Sequence, residues 1–172
     1  MAFPTSWRTV LRTVCELAAA ALVLGACAGG AAVSPVVERV PFTDHGATQM
    51  SGNDDGPRIV VGSDDGGRAE LAALLPRVPS APDRVYLGVF AGSQRTGGYA
   101  IKVDAIERGG DRLVVRATFT APSPGALTIQ VLTSPAQLVS IPSASAVGVR
   151  EAVLVDQSGV ERARGSVTQS RP

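Results

Sequence analysis

One histidine, His45, and two cysteines, Cys15 and Cys27, are the chain's whole stock of imidazole and thiol groups. Hydrolytic triads and zinc sites draw on those groups, because imidazole titrates near neutrality and a thiolate is both a nucleophile and a soft metal ligand. His45 sits in the polar run Thr43-Asp44-His45-Gly46 and reads as an exposed loop histidine. Gly52-Asn53-Asp54-Asp55-Gly56 and Gly62-Ser63-Asp64-Asp65-Gly66 each offer paired carboxylates. Neither has the alternating acidic spacing and closing Glu of a calcium loop, so turn-making and helix-capping are their expected work. Gly92-Ser93-Gln94-Arg95-Thr96-Gly97-Gly98-Tyr99 is glycine-rich but lacks the Lys-Ser/Thr ending of a phosphate cradle. It also joins two expected strands, where such a cradle joins a strand to a helix. The expectation is a chain without catalytic residues, metal, cofactor or bound nucleotide.

Cys27 has a different use. Arg8 and Arg12 precede an apolar run over residues 17–25, and Leu24-Gly25-Ala26-Cys27 resembles the bacterial lipobox, where a peptidase cuts before a cysteine that carries diacylglycerol. The apolar run, backed by Glu16, falls well short of the roughly 20 residues that span a bilayer. A second acyl chain, typically palmitate, on the new amine would make the anchor durable, since one chain alone holds only marginally. Ordinary secretory cleavage after Ala26-Cys27-Ala28 satisfies the same small-residue rule. Lipidation is the preferred reading, because with Cys15 removed Cys27 has no partner for a disulfide. Residues 1–26 are thus expected to be a lipoprotein signal peptide, and 27–35 the lipidated cysteine and a flexible tether of Ala, Gly, Val and Ser. The implied location is the cell envelope, with a membrane as partner through the lipid. Ala28, where an Asp would signal inner-membrane retention, makes the outer membrane the default, with the domain facing the periplasm or the surface.

Lys and Arg total 16 against 15 Asp and Glu, scattered along the chain, so no basic face exists to neutralise phosphates. Aromatic residues are only 4% of the chain, which leaves few platforms for stacking bases. Nucleic acid is therefore excluded as an expected partner.

Apolar periodicity supplies the elements that must position any site. Val36 to Val40 reads as a first strand, 43–56 as a polar loop, and Ile59-Val60-Val61 as a buried strand. One short helix is expected near 66–75: Asp64 or Asp65 caps it, Leu71, Leu74 and Leu75 share a face, and Pro76 stops it. Val85 to Ala91 is apolar on both faces, as in a central strand. Tyr99, Ile101, Val103 and Ala105, then Leu113, Val115, Ala117 and Phe119, alternate about the turn Arg108-Gly109-Gly110-Asp111 and predict a hairpin. Leu127-Ile129-Val131, Leu138 to Ile141 and Val149 to Val155 predict three more strands. The sum is a mainly β (α+β) domain, an antiparallel sheet or sandwich with one helix, over 36–156. Residues 157–172, polar and without period, are expected as a disordered tail.

Val85-Tyr86-Leu87-Gly88-Val89-Phe90-Ala91-Gly92, Gln94, Thr96-Gly97-Gly98-Tyr99, Ala100-Ile101-Lys102-Val103, Pro122-Ser123-Pro124-Gly125 and Val131-Leu132-Thr133-Ser134-Pro135 together resemble the C-terminal domain family of the protease-complex subunit PrcB. The family shows a Gly-x-x-Pro-Thr-Gly-Gly-Tyr loop, a Pro-x-Pro-Gly turn and a Thr-x-Pro in this order. Arg95 stands where the family has Pro, which frees a φ angle otherwise fixed, and Ala136 where an aromatic is common. The resemblance implies a non-catalytic lipoprotein that associates with a protease or protease-complex subunit. It makes Gln94, Arg95, Thr96, Gly97, Gly98, Tyr99, Pro124, Gly125, Ser134 and Pro135 the candidate protein-binding residues. The Thr-Gly-Gly-Tyr turn is also similar to a loop of chagasin-type cysteine-protease inhibitors, although the Asn-Pro of that loop is missing here. Two alternatives stand beside the accessory role: a structural envelope lipoprotein in which Tyr99 fills the core, and a loop-based protease inhibitor.

Overall fold

The structure, a computed structural model, describes residues 37–168. The signal segment, Cys27 and the tether to residue 35 lie outside the described residues, as does the end of the chain, 169–172.

Two sheets face each other. One holds β1 (Glu38–Val40), β5 (Ala100–Gly109), β6 (Arg112–Thr120), β8 (Glu151–Val155) and β9 (Glu161–Ser166), in that spatial order. The other holds β2 (Thr43–Thr48), β7 (Ala136–Pro142), β4 (Arg84–Phe90) and β3 (Arg58–Gly62). Every pairing is antiparallel except β6 with β8. Inward residues of both sheets, among them Ile59, Leu87, Val89, Ile106, Leu113, Val115, Val139, Ile141 and Leu154, form the main core. Each such side chain contributes about 1.5–3 kcal/mol by leaving water. The mainly β sandwich expected from the alternation is the fold observed.

A third layer explains why β4 is apolar on both faces. Helix α1 (Asp65–Leu74) lies on the outer face of the second sheet, where Leu71 and Leu75 pack with Val60, Tyr86, Phe90, Ala136 and Leu138. Asp64 is the N-cap, its Oδ1 accepting from the Gly67 amide at 2.7 Å. Such a cap is worth about 1 kcal/mol. Two glycines set the distance between helix and sheet. A Cβ on Gly88 would come within 2.6 Å of Leu71 Cδ2, and one on Gly67 within 2.2 Å of the Val61 carbonyl oxygen. A short helical turn, α2 (Ser143–Ala146), follows β7.

Three expectations need correction. The polar run 43–56 is not all loop, because Thr43–Thr48 forms β2, paired with β7. As an exposed edge strand it has little side chain to bury, so it shows no apolar period, and Gly46 at φ 102° sits in its bulge. The stretch 127–131 forms no strand, although it alternates Leu, Ile and Val. It lies on the connection from β6 to β7, which crosses between the sheets, and both those strands already have neighbours on each side. The tail is not disordered throughout: Glu161–Ser166 forms β9 against β8. Its inward residues, Ala163 and Gly165, are too small to register as a hydrophobic period. Gly165 is small by necessity, since a Cβ there would lie 2.7 Å from the Ile59 carbonyl oxygen where β9 passes β3.

The turn into β9 is organised by Asp156. Its Oδ1 accepts from the Val160 amide at 3.0 Å and the Ser158 amide at 2.9 Å, and Arg162 lies 3.4 Å from Oδ2. The Val160 amide above all, then that of Ser158 and the Arg162 charge, hold the carboxyl below its ordinary range against the opposing effect of desolvation. A carboxyl depressed on folding stabilises the fold above its unfolded pKa, about 3.9, and that contribution is lost as pH falls through the lower folded value. Asp156→Asn should therefore lower the urea midpoint at pH 6, and the gap to the wild type should narrow progressively below about pH 4.

Candidate functional site

At one end of the sandwich β4 ends at Phe90, paired with Ala136 of β7, and β5 begins at Ala100, paired with Thr120 of β6. The connections 91–99, 121–135 and 49–57 meet there. Gln94 and Thr133 exchange both backbone hydrogen bonds, at 2.7 and 2.9 Å, making an isolated antiparallel bridge. The Thr133 hydroxyl donates to the Thr96 carbonyl at 3.0 Å, and the Gly97 amide donates to the Ile129 carbonyl at 3.0 Å. On the other side the Ser93 amide donates to the Asp55 carbonyl at 2.9 Å. The glycine-rich loop is thus fastened along both flanks, with its ordering entropy already spent.

Two of its glycines are required by geometry. Gly92 has φ 83°, and a Cβ there would lie 2.5 Å from the Asp55 carbonyl oxygen. Gly98 has φ 90°, with Pro122 Cγ at 2.9 Å from a built Cβ. That close approach ties the Thr-Gly-Gly-Tyr turn to the Pro-x-Pro-Gly segment. In that segment the Ala126 amide donates to the Ser123 carbonyl at 3.0 Å, with Gly125 at φ 81° after Pro124, the pattern of a type II turn.

The candidate binding residues separate into two groups. Arg95, Gly98, Pro124 and Gly125 are exposed, and Gln94, Thr96, Gly97 and Tyr99 are half-buried. Arg95 makes no ion pair among the described residues. Tyr99 belongs to neither apolar core cluster, so it does not fill the core as a purely structural tyrosine would. Ser134 and Pro135, by contrast, are buried and cannot form the surface. They brace it from beneath: the hydroxyls of Ser134 and Ser51 are hydrogen-bonded at 2.7 Å, Ser134 also donates to the Asn53 carbonyl, and the Pro135 carbonyl accepts from the Ala91 amide at 2.8 Å.

Sequence spacing missed two features. The first is apolar: Met50, Leu127, Ile129, Val131 and Leu132 are all exposed around this loop cluster. The second is a serine–histidine pair separated by 95 residues, with His45 Nε2 2.8 Å from Ser140 Oγ. Arg84 Nε also donates to Ser140 Oγ, at 3.1 Å, and its guanidinium reaches Thr43. The pair has the spacing of a nucleophile and its base, but Ser140 is 0% exposed in the middle of β7. No substrate reaches it there. What it does is tie edge strand β2 to β7 and β4, with the His45 ring tilted against Tyr86 at a centroid distance of 5.4 Å. Among the described residues no three His, Cys, Asp or Glu side chains converge as a metal site requires.

The surface therefore offers a braced glycine-rich loop, exposed at Arg95 and Gly98, beside exposed apolar side chains. Such a combination recognises another polypeptide better than it transforms a small molecule. No curated protein and no solved structure matches the chain. Residues 85–142, about a third of the chain, match the family described as PrcB C-terminal. The match runs from β4 to the end of β7 and takes in the whole of the braced loop cluster except 49–57.

Proposed function

With residues 85–142 matching the PrcB C-terminal family, we propose that this protein is a non-catalytic accessory module that associates with, and supports, a protease or a protease-complex subunit of the cell envelope. A lipid on Cys27 tethers it to a membrane, by default the outer one. The observation that carries the reading is the loop 93–99: it is braced from both sides, yet its Tyr99 is left out of both core clusters. Arg95 and Gly98 stand exposed on this fastened loop, which presents it to another chain in one fixed shape.

Co-purification from membranes with the lipidated full-length protein tests this. Arg95, Thr96 and Tyr99 are replaced together by alanine, and Gly97 and Gly98 are kept so that the positive φ of Gly98 is not disturbed. The expected outcome is a protease or protease-complex subunit recovered with the wild type and lost with the variant, with an unchanged melting temperature. Equal recovery with both would remove the loop from the interface. Mass spectrometry of the mature N-terminus tests the tether: an acylated Cys27 is expected, and an unmodified chain beginning at Gly29 would make the protein a secreted one.

A further inference from the structure

The connector between α1 and β4, Pro76-Arg77-Val78-Pro79-Ser80-Ala81-Pro82, places a proline at every third position. α1 ends at the loop-cluster end, where the Leu74 carbonyl accepts from the Gly52 amide at 2.8 Å, and β4 begins at the other end, with Arg84 opposite Pro142. The connector therefore has to run back along the outer face of the second sheet, past a strand about 20 Å long at ~3.3 Å per residue. Its prolines allow that. Each fixes its own φ at about −65° and holds the residue before it extended, and Leu75, ahead of Pro76, has φ −122° and ψ 141°. Five steps of polyproline II, from Pro76 to Ala81, cover about 16 Å at ~3.1 Å each. A turn closed by the Arg84 amide on the Ala81 carbonyl, at 3.3 Å, then delivers the chain to β4.

Burial follows the same period of three. Val78 and Ala81 are half-buried, Val78 against the cluster that holds Leu71, Tyr86 and Phe90, whereas Pro76, Arg77, Pro79, Ser80 and Pro82 are exposed. A polyproline II helix has three residues per turn, so one ridge faces the domain and two face out, the prolines on one and Arg77 with Ser80 on the other. Arg77 makes no ion pair among the described residues. An exposed ridge of proline rings fits an aromatic-lined groove, and it binds at low ordering cost because the backbone is already extended. Arg77, on the neighbouring ridge, matches a carboxylate at the groove's rim. A second copy of this chain does not offer such a groove among its described residues, since Phe42, Tyr99 and Phe119 are half-buried and Tyr86 and Phe90 buried. A bilayer gains from a broad apolar face with several cations, and this strap has one narrow ridge and one arginine.

Independently of the loop 93–99, we propose that the strap 76–82 is a second contact site, and that its occupant is an aromatic-lined groove on another protein, with a carboxylate facing Arg77. Photocrosslinking in whole cells tests it, with a diazirine-bearing residue placed at Ser80 of the full-length protein and, as control, at Lys102, exposed on the other sheet. Mass spectrometry of the Ser80 adduct should place the insertion on one partner, within a few residues of a Trp, Tyr or Phe. The yield should fall about tenfold or more when Arg77→Glu and Pro79→Ala are introduced together, and should persist with Arg77→Lys. All these positions are exposed, so the variants should keep the cooperative unfolding transition of the wild type. If the double variant does not, Arg77→Glu alone, which leaves every proline in place, should still lower the yield several-fold. Absence of a Ser80 adduct, or equal adducts at Ser80 and Lys102, overturns the proposal. So do adducts with lipid, with a second tagged copy of this chain, or with a protein segment free of aromatic residues. A yield that ignores Arg77→Glu overturns it too, since the strap would then only neighbour a contact made elsewhere.

Discussion

Gly67→Ala is expected to lower the stability of the domain by about 3 kcal/mol or more, while Gly66→Ala, one residue away in the same helix, leaves it unchanged or raises it by up to ~1 kcal/mol. Alanine is the better helix former at both positions, so propensity alone predicts two gains. Packing reverses one of them. A Cβ on Gly67 meets the Val61 carbonyl oxygen at 2.2 Å, and that oxygen is backbone of β3, held in register with β4. It cannot swing aside as a side chain would, so the helix must lift, loosening Leu71 and Leu75 from their pocket. A Cβ on Gly66 meets only the Asp64 carboxylate, at 3.7 Å. Urea unfolding of the two variants side by side checks this, and equal midpoints would mean that α1 docks less closely than described.

Gly92→Ala should cost about 2–3 kcal/mol, by combining strain at positive φ with a clash against the backbone of the 49–57 connection. Gly125→Ala has the strain without the clash, for φ is 81° with nothing within 4 Å of a built Cβ, and should cost about 1 kcal/mol. Hydrogen exchange separates the two more sharply than the midpoint does. In Gly92→Ala the amides of Ser93, Gln94 and Thr133, all bonded across loops, should lose protection, while those in the middle of β4 and β7 keep theirs. Retained protection at Gln94 and Thr133 would show that the loop cluster does not depend on the close approach of Gly92 to residues 55–56.

The parts of the fold visible in the sequence are those where burial imposes a period. The β5–β6 hairpin shows it because Ile101 and Val103 alternate with exposed Lys102 and Asp104, and α1 shows it because its leucines recur on one face above a capping Asp64. β2 and β9 escaped notice for a common reason: each is an edge strand, and on an edge the inward positions can be filled by something as small as Gly165 or left at the surface. The run 127–131 misled in the opposite direction, since alternating Leu, Ile and Val signals one buried face only when a sheet has room for the strand. Within the candidate site, the glycines and prolines could be recognised because unusual backbone angles restrict residue type. The burial of Ser134 and Pro135 could not, being decided by residues 49–57 folding over them. Nor could the His45–Ser140 contact, which exists only because β2 pairs with β7.

The spatial order of the first sheet bears on how small a piece of this protein can stand alone. The family match ends at Pro142, yet β8 and β9 come after it, and β8 covers the open flank of β6 from Arg112 to Arg116. A fragment trimmed to residues 85–142 would keep the loops and lose that cover, as well as α1, β1, β2 and β3. The β6 backbone would then present a bare row of amides and carbonyls beside Leu113 and Val115, a template for pairing between molecules. Sticky, aggregating fragments are the foreseeable result, and their promiscuity could easily be mistaken for partner binding. The segment that is recognised is thus narrower than the unit that folds, and interaction measurements belong on a chain that runs at least from β1 through Val167.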